Sequence, residues 1–358
     1  MKIEVHSPTI RRKEMDAVLT AMVEDQIGPG ERSRLLLQTA KEQLHFDFAL
    51  ALRSPAIALH LALLSLGLKD GDGVLISGLS PRYYAQTLAD LRLTPLYCDV
   101  SFSFPCITRE SAEKAIGAKP EGVQARCIVL HHTLGYAPDA ASFADLGIPV
   151  IEDISQSYTP PPLAPAAEGG APNKEAAAAK PVHGTFAILG LEERDMLTSG
   201  GGALLFASAR RDASLLRAHA NIPAEYCLPD INAALATVQF REAARNMARR
   251  HEIAQVYTQA SLSTAHKRFV SQEGSEYNNY AFALVLETGM KEVTSYARKK
   301  EIIVENAFEQ SLAGSGIVDT AECPVSCSLA LRTVMFPLYP RLRSQDVQRV
   351  SRLITTLP

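Results

Sequence analysis

Between residues 50 and 210, short apolar runs alternate with stretches of helical character. The strand candidates are VLIS from Val74, PLYCDV from Pro95, CIVLHH from Cys127, PVIED from Pro149, TFAIL from Thr185 and ALLFAS from Ala203. Several are apolar throughout, the pattern of strands covered on both faces, and PAIALHLALLSLGL and DAASFADLG supply helices between them. This alternation predicts an α/β fold built on a mostly parallel, doubly wound sheet. In such sheets ligands bind beyond the carboxyl ends of the strands, which puts IEDISQS at the prospective site.

One segment interrupts the pattern. TPPPLAPAAEGGAPNKEAAAAKP, residues 159–181, is rich in Pro, Ala and Gly and nearly free of large apolar groups. It buries too little surface to order itself, so a mobile surface loop is expected. A long helix containing REAARNMARRHEIAQVY follows residue 236, its basic side read as a solvated face. A smaller α+β region follows, with one alternating strand, YAFALVLE, and a terminal helix from about Ser344. The expected division is a large domain of 1–240 and a small domain of 241–358.

Composition narrows the possibilities. Apolar residues make up 47% of 358 and charged residues 21%, the balance of an ordinary globular protein. A net charge of −3 gives no global bias toward nucleic acid or an anionic membrane. No apolar run approaches the ~20 residues of a membrane span, and the N-terminus has no apolar signal core. Cysteines 98, 106, 127, 227, 323 and 327 include no CxxC pair and are expected as reduced thiols of a cytoplasmic protein. Cys323 and Cys327 with His131 and His132 fit no common zinc spacing, so no metal is expected.

Several segments, in order, resemble the DegT/StrS family of PLP-dependent nucleotide-sugar aminotransferases, from about residue 3 to the C-terminus. DQIGPG looks like the family's loop before its first long helix. RSPAIALHLALLSLGLKDGDGVLI is similar to its phosphate turn, helix and following strand. PVIEDISQSY resembles the cofactor strand, and FAILGLEERDMLTSGGGALLF the lysine loop. YCLPDINAALATVQF and CPVSCSLALRTVMFPLYP match two later segments. The resemblance implies a fold-type I architecture and a homodimer with the cleft at its interface.

It also implies roles for particular residues. Asp153 stands where the family places the carboxylate that holds the pyridinium nitrogen, a charge-assisted contact that keeps the ring an electron sink. Gln156 stands beside the ring and its phenolic oxygen. The Schiff-base lysine, however, has no counterpart: no lysine occurs between Lys180 and Lys267. Arg194 is nearest in the frame, and a guanidinium stays protonated and forms no imine. Lys180 belongs to the 159–181 segment, and His183 precedes the strand instead of following it.

The phosphate cup departs independently. Its serine–glycine–threonine turn reads Ser54-Pro55-Ala56, in which proline supplies no N–H and alanine no hydroxyl. Ala187 replaces a serine, and Glu225 an asparagine that reaches in from the partner subunit. A carboxylate about 4 Å from a phosphate costs roughly 1 kcal/mol in water and several times that in a cleft. The aromatic residue expected over the ring falls at Pro81, with Tyr83 or Tyr84 as stand-ins. Ser199-Gly200-Gly201-Gly202 reads as a tight turn before a phosphate nest, and His131 and His132 as structural before catalytic.

Covalent PLP chemistry is therefore not expected, and PLP or PMP would bind only weakly. Three readings stay open: a non-catalytic relative that binds a sugar nucleotide or a protein partner in the old cleft, an active PLP/PMP enzyme with an atypical base, and a regulatory subunit paired with an intact paralogue.

Overall fold

In the computed structural model, residues 2–161 and 182–358 are described. The expected loop of 159–181 therefore lies outside the described residues except for its first three positions.

Seven strands form the main sheet: β1 (Phe48–Leu52), β2 (Gly73–Ser77), β3 (Thr94–Cys98), β4 (Ala125–His131), β6 (Val150–Asp153), β7 (Phe186–Gly190) and β8 (Ala203–Ala207), with a two-residue β5 (Tyr136–Ala137) outside it. Their order is β1-β8-β7-β6-β4-β2-β3. The pairs β2–β3, β2–β4, β4–β6 and β6–β7 are parallel, and β8 is antiparallel to both neighbours. All six expected strands are present. β1 is the addition, an edge strand whose run FALAL follows directly on helix α2.

The helices fall on both faces. α1 (Arg12–Val23), α2 (Glu31–Leu44), α3 (Pro55–Ser65), α4 (Tyr83–Asp90), α5 (Arg109–Gly117) and α6 (Arg210–Ala218) precede the long α7 (Asp230–Ser261). The stretch DAASFADLG is a 3-10 helix, Ala140–Leu146, not an α-helix. β7 shows why the sheet reads as apolar. Phe186 and Ile188 pack with Leu59 and Ala62 of α3, while Ala187 and Leu189 pack with Leu36 of α2 and Phe240 of α7. Burial of both faces removes the polar half of the strand pattern.

A second apolar cluster joins the far end of α7 (Ile253, Tyr257) to a three-stranded sheet, β10-β12-β11. Its strands are β10 (Phe282–Val285), β11 (Glu305–Asn306) and β12 (Thr333–Phe336), and a two-residue β9 (Glu276–Tyr277) pairs with β5. Helices α8 (Met290–Lys299), α9 (Pro324–Arg332) and α10 (Ser344–Thr355) complete this part. Ile3 bridges to Ile302 and belongs to this cluster, so the start of the chain packs with its end. The boundary expected near residue 240 falls inside α7.

Two carboxylates tie elements together. Asp230, 2% exposed, accepts from the backbone amides of Gly30, Arg32 and Ser33 at 2.9–3.0 Å and from the Ser33 hydroxyl at 2.8 Å. It thereby caps α2 from the first residue of α7. Asp99 does the same for α9 through the amides of Val325 and Ser326.

Candidate functional site

The carboxyl ends of β4 and β6 open into a cleft of about 310 Å³ whose lining includes Pro55, Pro81, Tyr83, His131, Asp153, Gln156, Glu192 and Asp195. Asp153 is the last residue of β6 and 1% exposed. Its Oδ2 accepts hydroxyl hydrogen bonds from Tyr84 at 2.7 Å and Tyr83 at 3.2 Å. Its Oδ1 accepts from the Ser155 amide at 3.1 Å and from the Ser155 hydroxyl. The two tyrosines begin α4, so that helix delivers both hydroxyls to the strand end where the resemblance expects a pyridinium nitrogen. Burial, and then the Asp153 charge, push both phenols well above their usual range, so they remain donors.

Gln156 is also in the cleft, but its Oε1 accepts from the Leu134 amide at 2.7 Å. Leu134 sits in the left-handed region at φ 55°, and this bond helps hold that unfavourable turn in place. His131 contacts the Thr133 hydroxyl at 3.0 Å, and burial lowers its pKa to about 4, so the ring is neutral.

Ser54 and Ala56 meet different fates. The Ser54 hydroxyl accepts from the Ile57 amide at 3.3 Å as the N-cap of α3, and Pro55, the first helical residue, is the member of the turn that faces the cleft. Ala56 is half-buried and absent from the cleft lining. Ala187 is buried beneath α2 and α7, away from the cleft.

Arg194 turns outward. Its guanidinium is exposed and lies 2.8 Å from Glu305. Glu225 is exposed, in the short 3-10 turn Ala224–Tyr226. Lys180 lies outside the described residues. Lys267 pairs with Glu287 at 3.0 Å in the C-terminal part.

From the lysine-loop region Asp195, which the sequence reading did not single out, enters the cleft beside Glu192. Its Oδ2 accepts from the Glu192 amide at 2.8 Å and fits tightly against Gly190, where an added Cβ would stand 2.2 Å from it. Burial first, then the carboxylates of Asp153 and Glu192, raise its pKa to about 8. Burial also raises Glu192. Arg194 supplies the only guanidinium or ammonium group among the described lining residues, and that group is engaged by Glu305. The cleft is acidic.

The Ser199–Gly202 stretch is a turn closed on itself. The amides of Ser199 and Gly201 both donate to the Leu191 carbonyl, at 2.9 and 3.1 Å, and the Ser199 hydroxyl donates to the Gly201 carbonyl. With φ of 75°, 147° and 129°, its three glycines adopt conformations an L side chain resists. Among the described residues no His/Cys/Asp/Glu group could hold a metal, and no helix is long and apolar enough to cross a membrane.

Comparison with known proteins agrees with this architecture. In sequence, the chain is 26% identical over 264 residues to the L-glutamine:2-deoxy-scyllo-inosose aminotransferase of Streptomyces lividus, covering 66% of this chain and 58% of that protein. The counterpart from Streptomyces fradiae is 28% identical over 183 residues, covering 49% and 38%. The matched stretch thus spans less than two-thirds of these relatives. In structure, the fold matches a DegT DnrJ EryC1 StrS aminotransferase from Brucella abortus with a TM-score of 0.80 at 19% identity, over 96% of this chain and 94% of that one. The family model for DegT/DnrJ/EryC1/StrS aminotransferases matches residues 8–159 and 205–355, and the interval it leaves contains the lysine-free loop. The chain belongs to the DegT/DnrJ/EryC1/StrS aminotransferase family.

Proposed function

We propose that this chain is a family member without covalent PLP chemistry, whose cleft binds the sugar portion of a sugar nucleotide. The observation that carries the reading is the state of Asp153, whose carboxylate is already engaged by Tyr83, Tyr84 and Ser155. A pyridinium would have to displace donors that are themselves buried.

The other residues point the same way. The cleft offers no imine-forming amine from the described chain, and Pro55 brings no N–H to a phosphate. The Glu192 carboxylate would repel a dianion in a confined space. The residues present do not fit the cofactor.

The same groups suit hydroxyls. Carboxyl oxygens of Glu192 and Asp195 accept from sugar O–H groups, and a protonated Asp195 also donates. The nucleotide phosphates would lie outside this acidic end.

The test combines two measurements on purified protein. The first is incubation with PLP, borohydride reduction and peptide mapping. The second is calorimetric titration with a nucleoside-diphosphate hexose, for wild type and Glu192→Ala. No pyridoxyl-lysine from the cleft, with hexose binding weakened about tenfold in the variant, is the expected result. A pyridoxyl-lysine peptide from the cleft, or hexose binding indifferent to Glu192, would overturn the reading.

A further inference from the structure

Successive residues of this region face opposite sides of the sheet end. His131, Asp153 and Gln156 line the cleft, while His132, Glu152 and Ser157 line a separate cavity of about 780 Å³. On that second side the three polar groups are in series. His132 Nδ1 lies 2.6 Å from the Ser157 hydroxyl, and its Nε2 lies 3.4 Å from Glu152 Oε2. The other oxygen of Glu152 accepts from the backbone amides of His183 and Gly184, at 2.7 and 2.5 Å. All three side chains are at least nine-tenths buried, with His132 at 3% and Glu152 at 4% exposed.

The Glu152 carboxylate beside Nε2 favours the tautomer that carries its proton there. With Nδ1 accepting from the Ser157 O–H, the imidazole proton resides on Nε2, facing the carboxylate. Nε2 has no qualifying hydrogen-bond partner, so Glu152 acts on it through charge. Burial alone would raise the Glu152 pKa, but the His132 contact first, and then the amides of Gly184 and His183, hold it below its usual value, so the carboxylate is anionic. A serine bonded to an imidazole that a buried carboxylate orients is the arrangement that activates a hydroxyl as a nucleophile. One part of the surrounding wall is apolar, with Leu44, Ile154, Tyr158 and Met247, and the rest carries polar groups such as His251 and Asn279.

We propose that Ser157, His132 and Glu152 form a second reactive site, whose substrate is an ester of a small apolar carboxylic acid. The Ser157 oxygen bonds to the ester carbonyl carbon as its proton passes to His132 Nδ1. The carbon–oxygen bond to the alcohol then breaks, and the leaving oxygen takes that proton. Acyl-Ser157 and a free alcohol result. Water, deprotonated by the same nitrogen, hydrolyses the acyl group to the carboxylic acid and restores Ser157. Glu152 is a positioning residue that holds the imidazole tautomer. This inference does not depend on what the acidic cleft binds.

The experiment uses the full chain with an alkyl fluorophosphonate and with p-nitrophenyl butyrate. Peptide mapping should place the phosphonyl group on Ser157, and Ser157→Ala should abolish both labelling and ester turnover. His132→Gln should slow labelling by about 100-fold or more, the scale of a lost general base. Melting temperatures establish that each variant is folded. If His132→Gln does not fold, Glu152→Gln replaces it, with slower labelling again the expectation. Folded wild type that is unlabelled at Ser157, or turnover that survives Ser157→Ala, overturns the proposal. Unchanged labelling in the folded relay variant overturns it too.

Discussion

The Tyr84 hydroxyl donates to Asp153 Oδ2 across 2.7 Å, from a side chain with no exposed surface. The bond joins the first turn of α4 to the end of β6, 69 residues apart. It gives the strand-end carboxylate a partner from the protein itself, so the charge is stabilised without any ligand.

Removing that hydroxyl tests its weight. Tyr84→Phe leaves the ring packing intact and deprives Asp153 of its shortest tyrosyl donor. A loss of about 1–3 kcal/mol in urea unfolding is expected, the range for a hydrogen bond to a buried charge. The Tyr83→Phe/Tyr84→Phe double variant should also bind PMP measurably more tightly than wild type. Equal PMP affinity would mean that the tyrosines do not keep the pyridine out.

Asp195 imposes a pH dependence of definite sign. Its pKa moves from 3.8 to about 8, owing to burial and then to the Asp153 and Glu192 carboxylates, against the Glu192 amide that favours ionisation. Tyr83 and Tyr280 also face it. Between these values the folded protein holds a proton that the unfolded chain has released, so stability falls as pH rises through that window. Asp195→Asn should flatten this contribution. Its melting temperature should exceed that of wild type above pH 8, and the gain should vanish near pH 4. A constant difference across the range would remove Asp195 from the account.

Asp230 offers a purely structural test. It satisfies three backbone amides and one hydroxyl at the start of α2. Asp230→Ala leaves those donors without their acceptor and should cost about 3 kcal/mol, more than an ordinary helix cap. Asp230→Asn keeps one acceptor oxygen and should lose less. Chemical denaturation of the two variants decides this order.

Assembly can be checked on α1. Met15, Leu19 and Met22 lie at spacings that share one helical face, and each is more than half exposed in the single chain, with Leu19 at 58%. A two-fold dimer covering this face is expected, with Leu19→Glu shifting it toward monomer. Sedimentation at micromolar concentration measures both. A monomeric wild type would sink the expectation.

Much of the framework was readable because burial on two sides leaves an unmistakable signature. Val74, Cys127 and Thr185 each opened a run that proved to lie in the sheet, and Ser344 begins the terminal helix as expected. β1 was not separated from its surroundings, since its antiparallel pairing with β8 joins residues about 155 positions apart in the chain. Asp153, Gln156 and Pro55 do meet in one cleft, whereas the tyrosyl bonds to Asp153 depend on how α4 enters the sheet. Arg194 and Asp195 are adjacent in sequence, and nothing in composition says which one turns inward. Glu305, which draws the arginine away, is 111 residues distant.

Helix α7 carries one more consequence. It runs 32 residues without a break, about 48 Å at 1.5 Å per residue. Its first half is packed against the main sheet through Ala236 and Phe240, its second against the three-stranded sheet through Ile253 and Tyr257. A hinge needs a joint where backbone angles can change cheaply, and here the connecting member is a strut anchored along both spans. Swinging one half against the other would mean bending that strut and breaking its hydrogen-bond ladder. Traffic into either cavity therefore falls to side chains and loops at the rim, while α7 holds the two sheets in a fixed relation.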